Sequence, residues 1–122
     1  MLIVEDQDIM RQMLREFLQS AYPDARILEA GSGDRALALC REHRPRLVLM
    51  DVKLPDANGI ELTAQAKALL PETTVIVISQ ETARTYVERA RAAGAFAYVA
   101  KHNLQRELLP AVARALSNSA TP

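Results

Sequence analysis

The sequence predicts an α/β fold: a five-stranded, doubly wound parallel sheet of strand order 2-1-3-4-5, with helices on both faces. Three observations carry this. Short apolar runs (Leu2-Ile3-Val4, Leu47-Val48-Leu49-Met50, Val75-Ile76-Val77-Ile78 and Ala95 to Ala100) alternate with longer segments of helical period. That alternation is the signature of buried parallel strands joined by crossover helices. Each run then ends in a polar residue: Glu5-Asp6, Asp51, Ser79 and Lys101. Finally, 122 residues suit a single domain with a proper core and room for five β/α units.

The elements follow in order. Met1 leads straight into the first strand, Leu2 to Val4, so the chain reads as a module cut from a longer protein. Asp8 is placed to cap a first helix running to about Ala21, with an apolar stripe of Ile9, Met10, Met13, Leu14, Phe17, Leu18 and Ala21. Tyr22-Pro23-Asp24 breaks it. Arg26 to Ala30 is a short strand, Gly31-Ser32-Gly33 a turn, and Asp34 to His43 a second helix stopped by the Arg44-Pro45 step. The third strand reaches Asp51. Leu54-Pro55-Asp56-Ala57-Asn58-Gly59 is a loop in which proline fixes one turn and Asn-Gly another. A third helix spans about Ile60 to Leu70 and stops at Pro71. After the fourth strand, a helix covers about Ala83 to Ala93, with Gly94 as its stop. The fifth strand and a helix over Gln105 to Leu116 complete the set, with Pro110 a misfit expected to kink that helix. The domain is taken as residues 1–117. Residues 118–122, at the end of the small, polar segment from Ser117 to Pro122, read as a tail or the start of a linker.

Composition excludes several function classes. Hydrophobic residues make up 49% and charged residues 25%, with a formal net charge of zero, so no global charge favours nucleic acid or an acidic membrane surface. Cys40 is the only cysteine, which rules out an internal disulfide and points to a reducing compartment. Its helical spacing from Ala36 and Leu37 makes it a buried structural thiol. No apolar stretch reaches membrane-spanning length, and the first residues are too few and too acidic for a signal peptide, so the expected location is the cytoplasm.

The strand ends carry the chemistry. In an open α/β sheet the carboxyl ends of the strands share one edge, where ligands bind. Asp6 and Asp51 would be neighbours at the switch point of a 2-1-3-4-5 sheet, with Glu5 close by. Crowded carboxylates repel, and a hard divalent cation with oxygen ligands, Mg²⁺ above all, resolves the conflict while leaving room for a phosphate. Asp51 is then the nucleophile candidate, able to form an aspartyl phosphate. Phosphoryl transfer needs positioning and positive charge. Mg²⁺, the Lys101 ammonium and the Ser79 hydroxyl with nearby backbone N–H groups could each hold one phosphoryl oxygen. A single acid, serine or lysine at a strand end is usually just solvated or part of a turn. The inference rests on their joint placement.

On these residues the chain resembles the receiver domain of two-component response regulators over essentially its whole length. The family's acidic pair matches Glu5-Asp6, and its phosphoacceptor matches Asp51 within Asp51-Val52-Lys53-Leu54-Pro55-Asp56-Ala57-Asn58-Gly59. Its Ser/Thr matches Ser79, its lysine Lys101 and its switch aromatic Tyr98. Ala30-Gly31-Ser32-Gly33 followed by Ala36-Leu37 resembles its second-strand exit.

The resemblance implies a flavodoxin-like strand order and a signalling switch. A sensor histidine kinase or phosphotransfer protein would phosphorylate Asp51, and acyl-phosphate hydrolysis would reset it. Mg²⁺, for which Mn²⁺ can substitute, would be held by Glu5, Asp6, Asp51 and the Lys53 backbone carbonyl. Phosphate would draw Ser79 inward and let Tyr98 turn from an exposed to a buried rotamer. That movement would reshape the face of the fourth helix, fifth strand and last helix, which would engage an output domain, a partner protein or a second copy. The segment itself would bind neither nucleic acid nor membrane, and would act as a regulatory protein rather than an enzyme on outside substrates.

Two departures matter. His102 follows the lysine where the family often has proline; receivers of the NarL/LuxR type that precede a helix-turn-helix output often lack that proline too, and His102 itself is assigned no role. Gln80 replaces a small residue after Ser79 and would narrow access to the phosphate or shift the switch equilibrium. Lys53 and Glu81, each two residues past a site residue, would lie over the phosphate and could pair there; alternatively, Lys53 is solvated and Glu81 begins the fourth helix.

Other readings compete. Gly31-Ser32-Gly33-Asp34-Arg35-Ala36 satisfies G-x-G-x-x-A before a helix, with Asp51 at about the spacing of a dinucleotide fingerprint. That reading leaves Glu5, Ser79 and Lys101 without a role. An interaction module that is never phosphorylated would be expected to lose the acceptor or its acidic partners, and none is lost. A stand-alone Mg²⁺-dependent phosphatase would need a cap or substrate pocket, for which the chain is short.

Overall fold

The structure is a computed structural model that describes residues 1–120, with side chains described through residue 117. In chain order it contains β1 (Leu2–Val4), α1 (Asp8–Ala21), β2 (Leu28–Ala30), α2 (Gly33–His43), β3 (Leu47–Asp51) and α3 (Gly59–Leu69). There follow β4 (Thr74–Ser79), α4 (Arg84–Ala92), β5 (Ala97–Ala100), a single 3-10 turn over Lys101–Asn103 and α5 (Leu104–Ala120). The five strands pair in parallel in the order β2-β1-β3-β4-β5. This is the order read from the sequence.

Strand alternation sorts the core into two layers. Leu2, Val4, Val48, Met50, Val75 and Val77 point to one face and pack with Ala36, Leu39 and Cys40 of α2, Ile60, Leu62 and Ala66 of α3, and Ala90 of α4. Ile3, Leu47, Leu49, Ile76, Ile78 and Val99 point to the other, against Leu14 and Leu18 of α1 and Leu104, Leu108, Ala111, Val112 and Ala115 of α5. Neither face of the central strands is left to solvent, which explains their uninterrupted apolar sequence. Cys40 is buried as expected, and burial raises its thiol pKa above the ordinary value. Among the described residues no helix is long and apolar enough to cross a membrane.

Several local expectations need correction. Gln7, in extended backbone, is the N-cap of α1, and Asp8 is its first helical residue, where it pairs with Arg11 at 2.6 Å. Ile9 is 86% exposed rather than part of the stripe. It sits in the first turn, beyond the end of β1, where the sheet offers nothing to pack on. β2 is an edge strand shorter than expected and begins at Leu28, because Ala25 is drawn into a turn by its N–H to Tyr22 carbonyl bond. The α5 helix continues through Pro110 and on to Ala120, past the expected end at Leu116. Pro110 is exposed and in the second turn, where the ring costs only one intrahelical hydrogen bond. Of the expected tail, residues 118–120 are therefore helical, and residues 121–122 lie outside the described residues.

The loop between β3 and α3 is the most heavily constrained segment. Gly59 N–H donates to the Val52 carbonyl at 2.7 Å, Lys53 bridges Asn58, and Leu54 N–H reaches the Ala57 carbonyl at 3.2 Å. Asn58 caps α3 by accepting from Ile60 N–H at 2.8 Å. A Cβ at Gly59 would overlap the Asp51 carbonyl, so glycine is what lets the chain close against the end of β3.

The same loop reaches across to α2. The Asp56 carboxylate accepts from Gly33 N–H at 2.7 Å and Asp34 N–H at 3.0 Å, capping the free amides of the first turn of α2 alongside Ser32. Those backbone hydrogen bonds hold the Asp56 pKa below its ordinary value of 3.8. A depressed carboxylate pKa contributes stability that is present above 3.8 and lost as pH falls through the folded-state value. Asp56→Ala should therefore lower the melting temperature at neutral pH, and the gap from the parent should narrow as pH falls below about 3.8. Parallel thermal melts across that range would check it.

Candidate functional site

Parallel register assembles the site. Val4 pairs with Met50, so the next residues, Glu5 and Asp51, stand side by side; Ser79 pairs with Ala100, which sets Lys101 beside it. All five side groups expected at the strand ends thus meet on one edge of the sheet. Asp6, Asp51, Lys53, Ser79, Gln80 and Lys101, with Gln7, line a cleft of about 150 Å³.

Its electrostatics centre on Lys101. The ammonium lies 2.9 Å from Glu5 Oε1 and 3.2 Å from Asp51 Oδ1, with the lysine side chain only 10% exposed. Burial alone would lower the Lys101 pKa, but the Glu5 and Asp51 carboxylates outweigh it and raise the value above the ordinary one. Glu5 is fully buried, and its Oε1 has no aligned hydrogen-bond donor, relying on the charge of the ammonium. Its Oε2 accepts from Gln7 N–H at 3.1 Å. Asp51 Oδ2 takes no hydrogen bond or ion pair among the described residues.

Glu5, Asp6 and Asp51 each bring a carboxylate oxygen within 4.8 Å of the others. An all-oxygen set of this kind suits a hard divalent cation.

A second set of contacts runs from the cleft to Tyr98. The Ser79 hydroxyl accepts from Glu81 N–H at 2.9 Å, and the Tyr98 hydroxyl donates to the Glu81 carbonyl at 2.7 Å. Glu81 Oε1 lies 3.3 Å from Lys53 Nζ. The sequence left two readings of Lys53 and Glu81 open, and the two side chains do meet. Glu81 lies before α4 rather than inside it, so its side chain is free of the helix. Tyr98 is half-buried, with its hydroxyl turned inward onto the Glu81 carbonyl before α4. Burial pushes the Tyr98 pKa up, with Glu81 and Tyr86 adding to that and the Ser79 hydroxyl opposing it.

Sequence reasoning missed three contributors. Gln7 lines the cleft and holds Glu5. Arg11 donates from Nη1 to the Glu5 carbonyl at 2.9 Å. Asp56 caps α2 from the loop that carries Asp51. Only Arg11 had a readable signal, as a cation one helical turn past an acidic pair. The dinucleotide reading fails on Asp56: the α2 amides that would take a pyrophosphate already hold its carboxylate.

Comparison with known proteins agrees. The family profile of the response regulator receiver domain matches residues 1–113. The transcriptional regulatory protein PdtaR of Mycobacterium tuberculosis is 38% identical over 118 residues, covering 95% of this chain and 56% of that protein. Among solved structures, a CheY-like receiver domain protein from Methanospirillum hungatei JF-1 superposes with a TM-score of 0.88 at 27% identity, over 97% of this chain and 93% of that one. A LuxR-family two-component response regulator from Aurantimonas sp. SI85-9A1 gives 0.85 at 27% identity, over 96% and 84%. The chain spans about half the length of the curated relatives it matches. From its register-built acidic cleft to its matched relatives, this chain belongs to the response regulator receiver domain family.

Proposed function

We propose that Asp51 is the phosphoacceptor of this receiver domain, taking a phosphoryl group from a sensor histidine kinase or phosphotransfer protein. The observation that carries this is the Lys101 ammonium 3.2 Å from Asp51 Oδ1 in a cleft shared with Ser79. Asp51 attacks phosphorus, an Asp51 O–P bond forms, and the P–N bond of a phosphohistidine breaks with its electron pair going to the imidazole. Lys101 then meets the negative charge on the phosphoryl oxygens, and the Ser79 hydroxyl and nearby backbone N–H groups supply further donors. Glu5, Asp6, Asp51 and the Lys53 backbone carbonyl would hold Mg²⁺, or Mn²⁺ in its place, which supplies further positive charge to the phosphoryl oxygens. Hydrolysis of the acyl phosphate resets the domain.

Phosphorylation pulls Ser79 toward the phosphoryl group and away from Tyr98, changing which Tyr98 position is favoured and with it the face of α4, β5 and α5. That face engages an output domain, a partner protein or, on phosphorylation, a second copy. The likeness to a LuxR-family regulator and the absence of proline after Lys101 support a helix-turn-helix output in a longer, cytoplasmic parent protein, with the segment after residue 117 leading toward it. Two other readings have less support: a module never phosphorylated leaves the complete cleft unexplained, and a phosphatase has only a cleft of about 150 Å³ for an outside substrate.

Three outcomes follow. Asp51→Asn should abolish phosphate incorporation from acetyl phosphate with Mg²⁺, because the amide is a poor nucleophile, and Asp6→Asn should slow it; parent-like labelling of Asp51→Asn in intact mass spectra would overturn the acceptor. Tyr98 ring signals in NMR should move on addition of beryllofluoride, and one unchanged environment would remove the switch. Finally, the Lys53–Glu81 pair is expected to hinder water. Lys53 is 72% exposed, so the pair is worth only about 0.2–1 kcal/mol. Replacing both residues with alanine should then shorten the aspartyl-phosphate half-life about 1.4- to 5-fold, with Mg²⁺ affinity little changed. Equal decay of double mutant and parent would leave Lys53 a solvated charge.

A further inference from the structure

The acidic turn after β1 is pinned by a side chain that no bound cation would touch. Glu5 N–H donates to the Ala30 carbonyl at 3.0 Å, Glu5 Oε2 accepts from Gln7 N–H, and the Glu5 carbonyl accepts from Arg11 Nη1. The Arg11 guanidinium is itself fixed from β2 and from its own helix: Nε donates to Glu29 Oε1 of β2 at 3.1 Å, and Nη2 to Asp8 Oδ1, one turn earlier in α1, at 2.6 Å. Arg15 Nη1 holds the other Glu29 oxygen at 2.9 Å.

Asp6 depends on this arrangement more than its neighbours do. It is exposed, and its carboxylate takes no hydrogen bond or ion pair among the described residues. Its place within 4.8 Å of the Glu5 and Asp51 oxygens therefore depends on the backbone of the turn and on its own rotamer, with no partner to hold it. Apart from the Glu5 carboxylate within the turn, the side chain that holds that backbone is Arg11.

We propose that Arg11 is a positioning residue for a divalent cation at Glu5, Asp6 and Asp51, acting through the Glu5 carbonyl. The inference rests on the cation site described under the proposed function. Two physical effects oppose each other here, which makes the sign of the outcome diagnostic. A guanidinium bound to the acidic turn repels a cation held there, so its removal would tighten binding if charge were its only role. Removal of the pin lets the turn and Asp6 move, which weakens binding; loss of an outer hydrogen-bond partner of a metal site typically costs about 10- to 100-fold in affinity.

The test is titration of the protein with Mn²⁺, reading free Mn²⁺ by electron paramagnetic resonance, for the parent, Arg11→Met and Arg11→Lys. Thermal melts ensure that each is folded at the titration temperature, so that a merely structural role would shift the melt and leave affinity unchanged. Arg11→Met should bind Mn²⁺ about tenfold or more weakly, and Arg11→Lys, which keeps the charge but not the fork, should fall between it and the parent. Parent-like or tighter binding by Arg11→Met would overturn the proposal. If Arg11→Met does not fold, Arg11→Lys decides: weaker binding supports the proposal, and equal or tighter binding overturns it. Absence of Mn²⁺ binding by the parent would be a different result, overturning the cation site and this inference with it.

Discussion

One constraint organises this molecule: the carboxylates of Glu5 and Asp51 are buried beside one another and share the Lys101 ammonium. Isolated charges in such a place are costly, and the cost is recovered only with good geometry and paired oxygens. The fold supplies that geometry from three separate strands, so β1, β3 and β5 must hold register for the charges to cancel. Lys101 meets Glu5 Oε1 at 2.9 Å and Asp51 Oδ1 at 3.2 Å, and on the proposed reading the lysine and a divalent cation divide the same carboxylates between them.

The sheet, the helix order and all of the strand-end residues were legible in the sequence because they follow from two periodicities and from the ends of apolar runs. Asp51, Ser79 and Lys101 could be found together since a parallel sheet has only one carboxyl edge. What escaped was whatever depends on loop geometry. Asp56 capping α2 joins residues 22 and 23 positions apart through a path that no local pattern encodes. Ile9 looked apolar and in phase, yet the helix begins above the sheet it would have packed on. Asp8 is a preferred capping residue, but the cap fell one residue earlier, where the chain leaves the acidic turn.

The loop between β3 and α3 shows how function and fold share one segment. Gly59 lies against the Asp51 carbonyl, Asn58 starts α3, and Asp56 starts α2. The acceptor candidate is thereby attached to the N-termini of two helices on one face of the sheet, which fixes its backbone while its Oδ1 pairs with Lys101. The glycine-serine-glycine segment that suggested a nucleotide turn is part of the same arrangement, serving a carboxylate from within the chain in place of a phosphate from outside.

Glu81 is the point at which the cleft and the α4–β5 side of the domain meet. Its N–H holds the Ser79 hydroxyl, its carbonyl holds the Tyr98 hydroxyl, and its carboxylate pairs with Lys53 two residues past Asp51. These contacts differ in strength and exposure. The two hydrogen bonds are part-buried, whereas the ion pair joins a 72% exposed lysine to a 35% exposed glutamate. Exposed pairs are weak and screened, so Lys53 cannot hold Glu81 against a change in its backbone contacts. The inward Tyr98 position therefore depends on the Glu81 carbonyl and on packing, and on the proposed reading Ser79, which accepts from Glu81 N–H, is the residue through which an event at Asp51 would be felt. On that reading, a two-position element biased by one hydroxyl needs only a modest difference in phosphate affinity between its states to change their populations.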